Sequence, residues 1–289
     1  MNILQDIEII ARKSSAGTER LFITMGGTTC AVISQDSAFL GKLHERFGSA
    51  EPPGKVDYEI ILTPAPHREF AADEDRRSGR PSINRVKSGS NYIIKQDDSP
   101  FLAIVNTLSR KVLVKMLPEP DSFSGFLRML FTLILADEKA LLLNASAVSE
   151  NGQGRVFFGP SGCGKTTAAR LAPEHGIIAD DLAIIKPHHG GYRVCGTPFR
   201  GDSNESHDNA RAELSGLYLL KKDGENRISA MDSTRAAAEL YHNVLFFTDD
   251  NKLLNRVFRI CRDLANKIPV YELHFQPGPS FWELVKKQS

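Results

Sequence analysis

Residues 155–171 read RVFFGPSGCGKTTAARL: a short apolar segment, a loop with three glycines and an alanine-rich helical start. Gly159–Thr166 fits the pattern G-x-x-x-x-G-K-S/T in full. Glycines let a backbone turn so tightly that successive N–H groups point inward, and the following helix adds the positive end of its dipole. Such a concavity suits two or three linked phosphates. The pattern therefore predicts a strand, a phosphate-binding loop and a helix.

The loop also supplies side chains suited to a nucleoside triphosphate. Lys165 carries a mobile charge for the β- and γ-phosphate oxygens, and the Thr166 hydroxyl is a ligand for Mg²⁺. Cys163 lies in the loop, but its position is typical of variable filler, so catalysis by its thiol is not expected. The residues predicted to bind ATP in this segment are Gly159, Pro160, Ser161, Gly162, Cys163, Gly164, Lys165, Thr166 and Thr167.

Two adjacent acids follow the next apolar segment. Gly176–Ala179 is predicted to be a strand that ends at Asp180 and Asp181. A carboxylate at the end of a strand beside a phosphate loop can reach the Mg²⁺ ion. The other carboxylate can accept the proton of an attacking hydroxyl, which typically accelerates a reaction by about 10² to 10⁴-fold. The alternative is a purely structural role for the two acids, as a helix cap or a turn after the strand.

The run LLLNASAVSENGQGRVFFGPSGCGKTTAARLAPEHGIIADDLAIIKP, residues 141–187, resembles the core of the HPr kinase/phosphorylase family and its HPr-kinase-like relatives. The resemblance implies the fold that this family shares with phosphoenolpyruvate carboxykinase. It also implies that Lys165 and the loop backbone bind phosphates, that Thr166 and Asp181 bind the metal, and that Asp180 is the general base.

The chain departs from the family pattern at one position that carries chemistry. The family usually has a histidine where this chain has Asn144. Asparagine can hydrogen-bond a phosphate but cannot change protonation near pH 7, so we do not expect the reverse reaction, phosphorolysis of a phosphoserine. The polar stretch after Cys195 is predicted to be a loop, and the resemblance implies that this loop covers the acceptor. Arg200 in that stretch is a candidate for steadying the transferring phosphoryl group, against the alternative of a surface arginine.

Composition and charge narrow the classes of protein to consider. The chain has 36 Lys and Arg against 35 Asp and Glu, so no nucleic-acid-binding face is predicted. The apolar stretch 126–136 is interrupted by Arg128 and is shorter than the roughly 18 residues that a membrane-spanning helix needs. Four widely spaced cysteines favour reduced thiols and a cytoplasmic protein. A homo-oligomer is compatible with the sequence.

The rest of the chain predicts an α/β protein with two parts. Residues 1–119 have the β-branched residues and turn signals of a β-rich N-terminal lobe, including a hairpin turn at Gly26-Gly27. Residues 120–289 are predicted to form a phosphoenolpyruvate-carboxykinase-like P-loop domain. Its helix Asn251–Asn266 has an apolar stripe, which includes Phe258, for packing against the sheet.

These observations predict an ATP- and Mg²⁺-dependent kinase that phosphorylates a hydroxyl on a protein, a peptide or a small molecule. One rival is an NTPase whose acids orient water and whose hydrolysis drives a conformational change. A second rival is a non-catalytic nucleotide sensor or scaffold. The three differ in turnover, because a kinase requires an acceptor, an NTPase turns over alone and a sensor binds without turnover.

Overall fold

The computed structural model describes residues 19–48, 54–70, 81–86, 90–96, 100–172, 176–199, 210–278 and 280–288. These residues have a mixed α/β fold. Contacts between Cα atoms divide the chain into two compact units, Met1–Phe131 with Phe247–Asp250, and Thr132–Phe246 with Asn251–Ser289. The division falls inside a helix, Pro120–Asp137. The boundary that the sequence places at residue 119 stays a prediction.

The first unit contains a sheet that has seven strands within the described residues. Its elements are β1 (Glu19–Met25), β2 (Thr28–Ser34), α1 (Ser37–Phe47), β3 (Tyr58–Pro64), a 3₁₀ turn (His67–Glu69), β4 (Ser82–Arg85), β5 (Asn91–Gln96), β6 (Phe101–Asn106) and β7 (Lys111–Met116). The strand order is β1-β2-β3-β7-β6-β5-β4. Strand β3 is parallel to both β2 and β7, and the other neighbours are antiparallel.

Local chemistry explains the start of this sheet. Gly26 and Gly27 both have positive φ, 57° and 84°, which allows a two-residue hairpin turn between β1 and β2 as the sequence predicts. Asp36 then begins α1, where its Oδ1 accepts a 2.9 Å hydrogen bond from the Phe39 N–H.

The second unit contains a sheet that has eight strands within the described residues. Its elements, after helix α2 (Pro120–Asp137), are β8 (Leu141–Glu150), β9 (Gln153–Phe158), α3 (Lys165–Leu171), β10 (Gly176–Ala179), β11 (Leu182–His188), β12 (Gly191–Cys195), β13 (Arg211–Lys222), β14 (Arg227–Ala230), α4 (Ser233–Asn243), α5 (Asn251–Lys267), β15 (Val270–Phe275) and α6 (Phe281–Lys286). Strand β8 pairs with β10 and β11 along one edge and with β9 along the other. Strand β9 runs parallel to β13, and β13 runs parallel to β15.

Helix α5 buries Leu253, Val257, Cys261 and Leu264 of the stripe that the sequence indicates, but its buried face differs at one edge. Ile260 is buried, whereas Phe258 is 42% exposed and its ring makes an edge contact with Tyr241 of α4, 5.7 Å between centroids. The inclusion of Phe258 in the buried stripe was therefore wrong. None of the helices among the described residues is long and apolar enough to cross a membrane.

Candidate functional site

Three neighbouring parallel strands end at the same edge of the second sheet. Phe158 at the end of β9 pairs with Leu219 of β13, and Lys222 at the end of β13 pairs with Phe275 at the end of β15. Sheets of α/β proteins bind ligands in crevices outside the carboxyl ends of their parallel strands, so this edge is a candidate ligand-binding site.

Helix α3 covers one face of these strands. A buried cluster joins Ala168 and Ala169 of α3 to Phe157, Tyr218, Leu220, Leu273 and Phe275 of the three strands. Successive side chains of a strand point to opposite faces, so this cluster identifies every second residue as facing α3. The segment between β9 and α3, which we call the glycine loop (Gly159–Gly164), crosses the edge of the sheet on that side.

Glycine is required at two positions of the glycine loop. Gly159 and Gly164 have φ of 145° and 104°, and a Cβ at Gly164 would lie 3.0 Å from Cε1 of Phe275. A Cβ at Gly159 would lie 3.0 Å from Sγ of Cys163 and 3.2 Å from the Leu220 carbonyl oxygen. Gly162 has φ of 77° with nothing within 4 Å, so its constraint is conformational alone.

Lys165 holds its charge across the base of the glycine loop. Its Nζ donates hydrogen bonds to the carbonyl oxygens of Gly159, at 2.9 Å, and Pro160, at 3.2 Å. The Ser146 Oγ of β8 donates a 2.6 Å bond to the Lys165 carbonyl oxygen, which ties the first turn of α3 to the sheet. The ammonium group is thus fixed beside the loop through weak carbonyl acceptors that phosphate oxygens can replace.

The two acids lie on the β8 side of the loop. The Asp181 carbonyl oxygen accepts a 3.1 Å bond from the Ala145 N–H, and Leu182 pairs with Asn144. The Thr166 Oγ1 donates a 3.5 Å bond to the Asp180 carbonyl oxygen. These contacts place the Thr166 hydroxyl and the backbone near Asn144 beside the backbone of the two acids.

The two carboxylates differ in exposure. The Asp180 side chain is only 2% exposed, and its Oδ2 lies 3.9 Å from NH2 of Arg170 on α3. Asp181 is partly exposed. Arg170, whose side chain is about half exposed, is therefore a charged neighbour of the buried Asp180 carboxylate.

The cleft formed by these residues has a volume of about 600 Å³. It is lined by ten of the residues that the sequence singles out: Asn144, Ser161, Gly162, Cys163, Gly164, Lys165, Thr166, Thr167, Asp180 and Asp181. Gly159 and Pro160 instead supply the carbonyl groups that Lys165 contacts. Arg200 lies outside the described residues, so its predicted role stays a prediction.

The Cys163 side chain is packed in the interior, and its thiol is not activated for nucleophilic attack. Its side chain is buried next to Gly159. Burial raises the pKa of the thiol above its usual value, and the nearby ammonium groups of Lys165 and Lys222 oppose this shift without reversing it. The thiol is therefore protonated near neutral pH, in agreement with an inert filler.

Sequence reasoning missed the part of the lining at the ends of β13 and β15, which we call the second wall: Lys222, Asp223, Phe275 and Pro277. Lys222 is the last residue of β13 and Asp223 follows it, while Phe275 ends β15 and Pro277 lies two residues after it. The available signal was an apolar strand that ends in Lys-Lys-Asp-Gly. Nothing in the sequence shows that this strand lies directly beside β9.

The oxygen ligands at the cleft suit a magnesium ion that is bound together with phosphate. A hydroxyl and carboxylates are hard ligands, which Mg²⁺ prefers. The described residues contain no group of three or more His, Cys, Asp or Glu side chains that could hold a metal by themselves. Mg²⁺ characteristically binds through one or two carboxylates plus substrate phosphates, so Thr166 and Asp181 fit the ion as partners of a nucleotide.

Comparison with known proteins places the chain in a family. No curated protein matches it. It has a weak likeness to the HPr(Ser) kinase/phosphatase from Coxiella burnetii, with 12% identity and a TM-score of 0.31 over 51% of this chain and 87% of that one. A likeness at this level carries no argument, and the resemblance to HPr kinases stays a hypothesis. The sequence profile described as "SynChlorMet cassette protein ScmC" matches residues 125–288, more than half of the chain, which therefore belongs to the ScmC family.

Proposed function

We propose that this protein is an ATP- and Mg²⁺-dependent kinase that transfers the γ-phosphoryl group to a hydroxyl. One observation carries the proposal: the glycine loop, Lys165, Thr166 and the acid pair line a single open cleft at the carboxyl ends of parallel strands. The phosphate-binding pattern and the acids are separated in sequence by a helix and a strand, and the fold brings them together.

In the proposed reaction, the loop N–H groups and Lys165 bind the phosphates of ATP. Lys165 would exchange the carbonyl groups of Gly159 and Pro160 for phosphate oxygens. Thr166 and Asp181 would hold Mg²⁺, which neutralises part of the phosphate charge when bound. Positioning and charge stabilisation of this kind account for most of the catalysis in phosphoryl transfer.

Asp180 would act as the general base. The acceptor oxygen bonds to the γ-phosphorus, the bond from phosphorus to the bridging oxygen breaks, ADP leaves, and the acceptor proton passes to Asp180. Because the Asp180 side chain is only 2% exposed, the acceptor hydroxyl has to project into the cleft to reach it. A hydroxyl on a flexible side chain or on a small molecule meets that requirement.

Asn144 favours transfer in one direction. It lines the cleft next to the acids but cannot take up or release a proton near pH 7. Because Asn144 stands where the family that the sequence resembles has a titratable histidine, phosphorolysis is not part of the proposal.

Labelled ATP tests the proposal directly. The protein is incubated with γ-labelled ATP and Mg²⁺, first alone and then with a cell extract, and labelled species are identified by mass spectrometry. We expect slow release of phosphate without extract and label transferred to an acceptor with it. Asp180→Asn, which keeps the size of the side chain, is the matched control and should slow transfer by orders of magnitude. Rapid hydrolysis without an acceptor would favour an NTPase, and binding without turnover would favour a sensor.

A further inference from the structure

The second wall of the cleft carries a lysine whose position is fixed by strand geometry. Tyr218 and Leu220 of β13 face α3 within the buried cluster. Lys222 is the next residue on that face, and its side chain lines the cleft. Lys221 points to the opposite face and is absent from the cleft lining.

The Lys222 ammonium group is available to bind an anion. It is exposed, and it forms no ion pair with any residue in the part of the chain that the structure describes. The neighbouring Asp223 is already engaged: its Oδ1 accepts a 2.7 Å bond from the Gly224 N–H, and its Oδ2 lies 2.8 Å from both Arg227 and His274. The Asp223 carboxylate is therefore held by these three groups, and it forms no ion pair with Lys222.

Two cations thus line the same cleft. Lys165 and Lys222 both line it together with Cys163 of the glycine loop. Lys165 comes from helix α3 and Lys222 comes from β13. An anion bound in this cleft would be stabilised by both charges.

The sheet order gives the direction of a nucleotide in this cleft. The acids follow β10, β8 separates β10 from β9, and β13 lies on the far side of β9. A triphosphate whose γ end meets the acids would therefore extend its other end toward β13.

We propose that Lys222 is a second phosphate-binding lysine, which contacts the phosphates that ATP and ADP share and directs the nucleoside over the ends of β13 and β15. This inference rests on the proposed function, because it takes the ligand of the cleft to be a nucleotide. It assigns Asp180 and Asp181 to the γ end and Lys222 to the nucleoside end.

Calorimetric binding of ATP and ADP to the full chain tests the assignment, with Lys222→Ala compared with Lys221→Ala. Because Lys222→Ala removes a charge-assisted bond to phosphate, we expect its affinity for each nucleotide to fall by about tenfold or more. Lys221→Ala removes the same charge from the adjacent position and should stay within about twofold of the wild type. Lys222→Arg should retain most of the affinity, and thermal unfolding of each variant checks the fold.

The outcomes separate cleanly. A loss for ATP alone would put Lys222 at the γ end and overturn the proposed direction. Equal losses in Lys221→Ala and Lys222→Ala would reduce the effect to general electrostatics and overturn the contact, as would unchanged binding in Lys222→Ala. A wild-type protein that binds neither nucleotide would refute the proposed function itself, which is a different result from any of these.

Discussion

Replacing Gly164 with alanine should destabilise the second unit through two separable effects. The first is conformational, because Gly164 has φ of 104°, where a side chain costs about 1–2 kcal/mol. The second is a collision, because the new Cβ would lie 3.0 Å from Cε1 and 3.3 Å from Cδ1 of Phe275. Phe275 is 1% exposed, and its ring packs edge-on against Phe281 at 4.9 Å, so it has little room to move. Overpacking of a core typically costs about 1–3 kcal/mol.

Gly162→Ala is the matched control for this variant. Gly162 lies in the same loop with φ of 77°, and nothing lies within 4 Å of its Cβ position. It should show the conformational cost of about 1–2 kcal/mol alone, whereas Gly164→Ala should lose about 2–5 kcal/mol. Urea unfolding followed by circular dichroism measures both. Adding Phe275→Leu to Gly164→Ala should recover part of the difference. Equal free energies of unfolding for the two single variants would refute the inference that Phe275 packs directly against Gly164.

The other predictions concern the chemistry of the cleft. Lys165→Ala should weaken ATP binding by about tenfold or more, because it removes charge-assisted bonds to phosphate; unchanged affinity in calorimetry would overturn the phosphate-loop assignment. Asp180→Asn should leave Mg·ATP binding nearly intact and lower the single-turnover rate by orders of magnitude, whereas Asp181→Asn should raise the Mg²⁺ concentration needed for half-maximal activity. Swapped phenotypes would reverse the two roles. Asn144 should make the enzyme one-directional, so pyrophosphate release from phosphorylated product and inorganic phosphate would contradict its assignment.

The local part of the site could be predicted from the sequence because its signals are local. A glycine pattern between an apolar segment and an alanine-rich helical start leaves few arrangements of the backbone, and Gly159–Thr166 has the predicted strand, loop and helix around it. The acid pair follows the next strand, β10, as the apolar run Gly176–Ala179 indicates. Both features are determined by residues close together in sequence, since only one helix and one strand separate the loop from the acids.

The second wall of the cleft could not be predicted because it depends on strand pairing at long range. Lys222 faces the site only because β13 is parallel to β9, and the two strands are separated in sequence by α3 and three strands. Phe258 failed for a related reason: an apolar residue at the edge of a helical stripe can fall on either side of the buried boundary, and its tertiary neighbours decide which. Of the predicted β-rich lobe, residues 1–18 lie outside the described part of the chain.

The packing of Phe275 against Gly164 affects the order in which the site forms during synthesis. Phe275 and Phe281 are more than one hundred positions downstream of the glycine loop. Synthesis proceeds at about 5–20 residues per second, so the loop emerges from the ribosome seconds before the residues that support it. Contacts over such sequence separations form slowly, because loop closure has to precede them. A nascent chain can therefore carry the complete phosphate-binding motif before it has the supported loop, which is completed only when β15 joins the sheet.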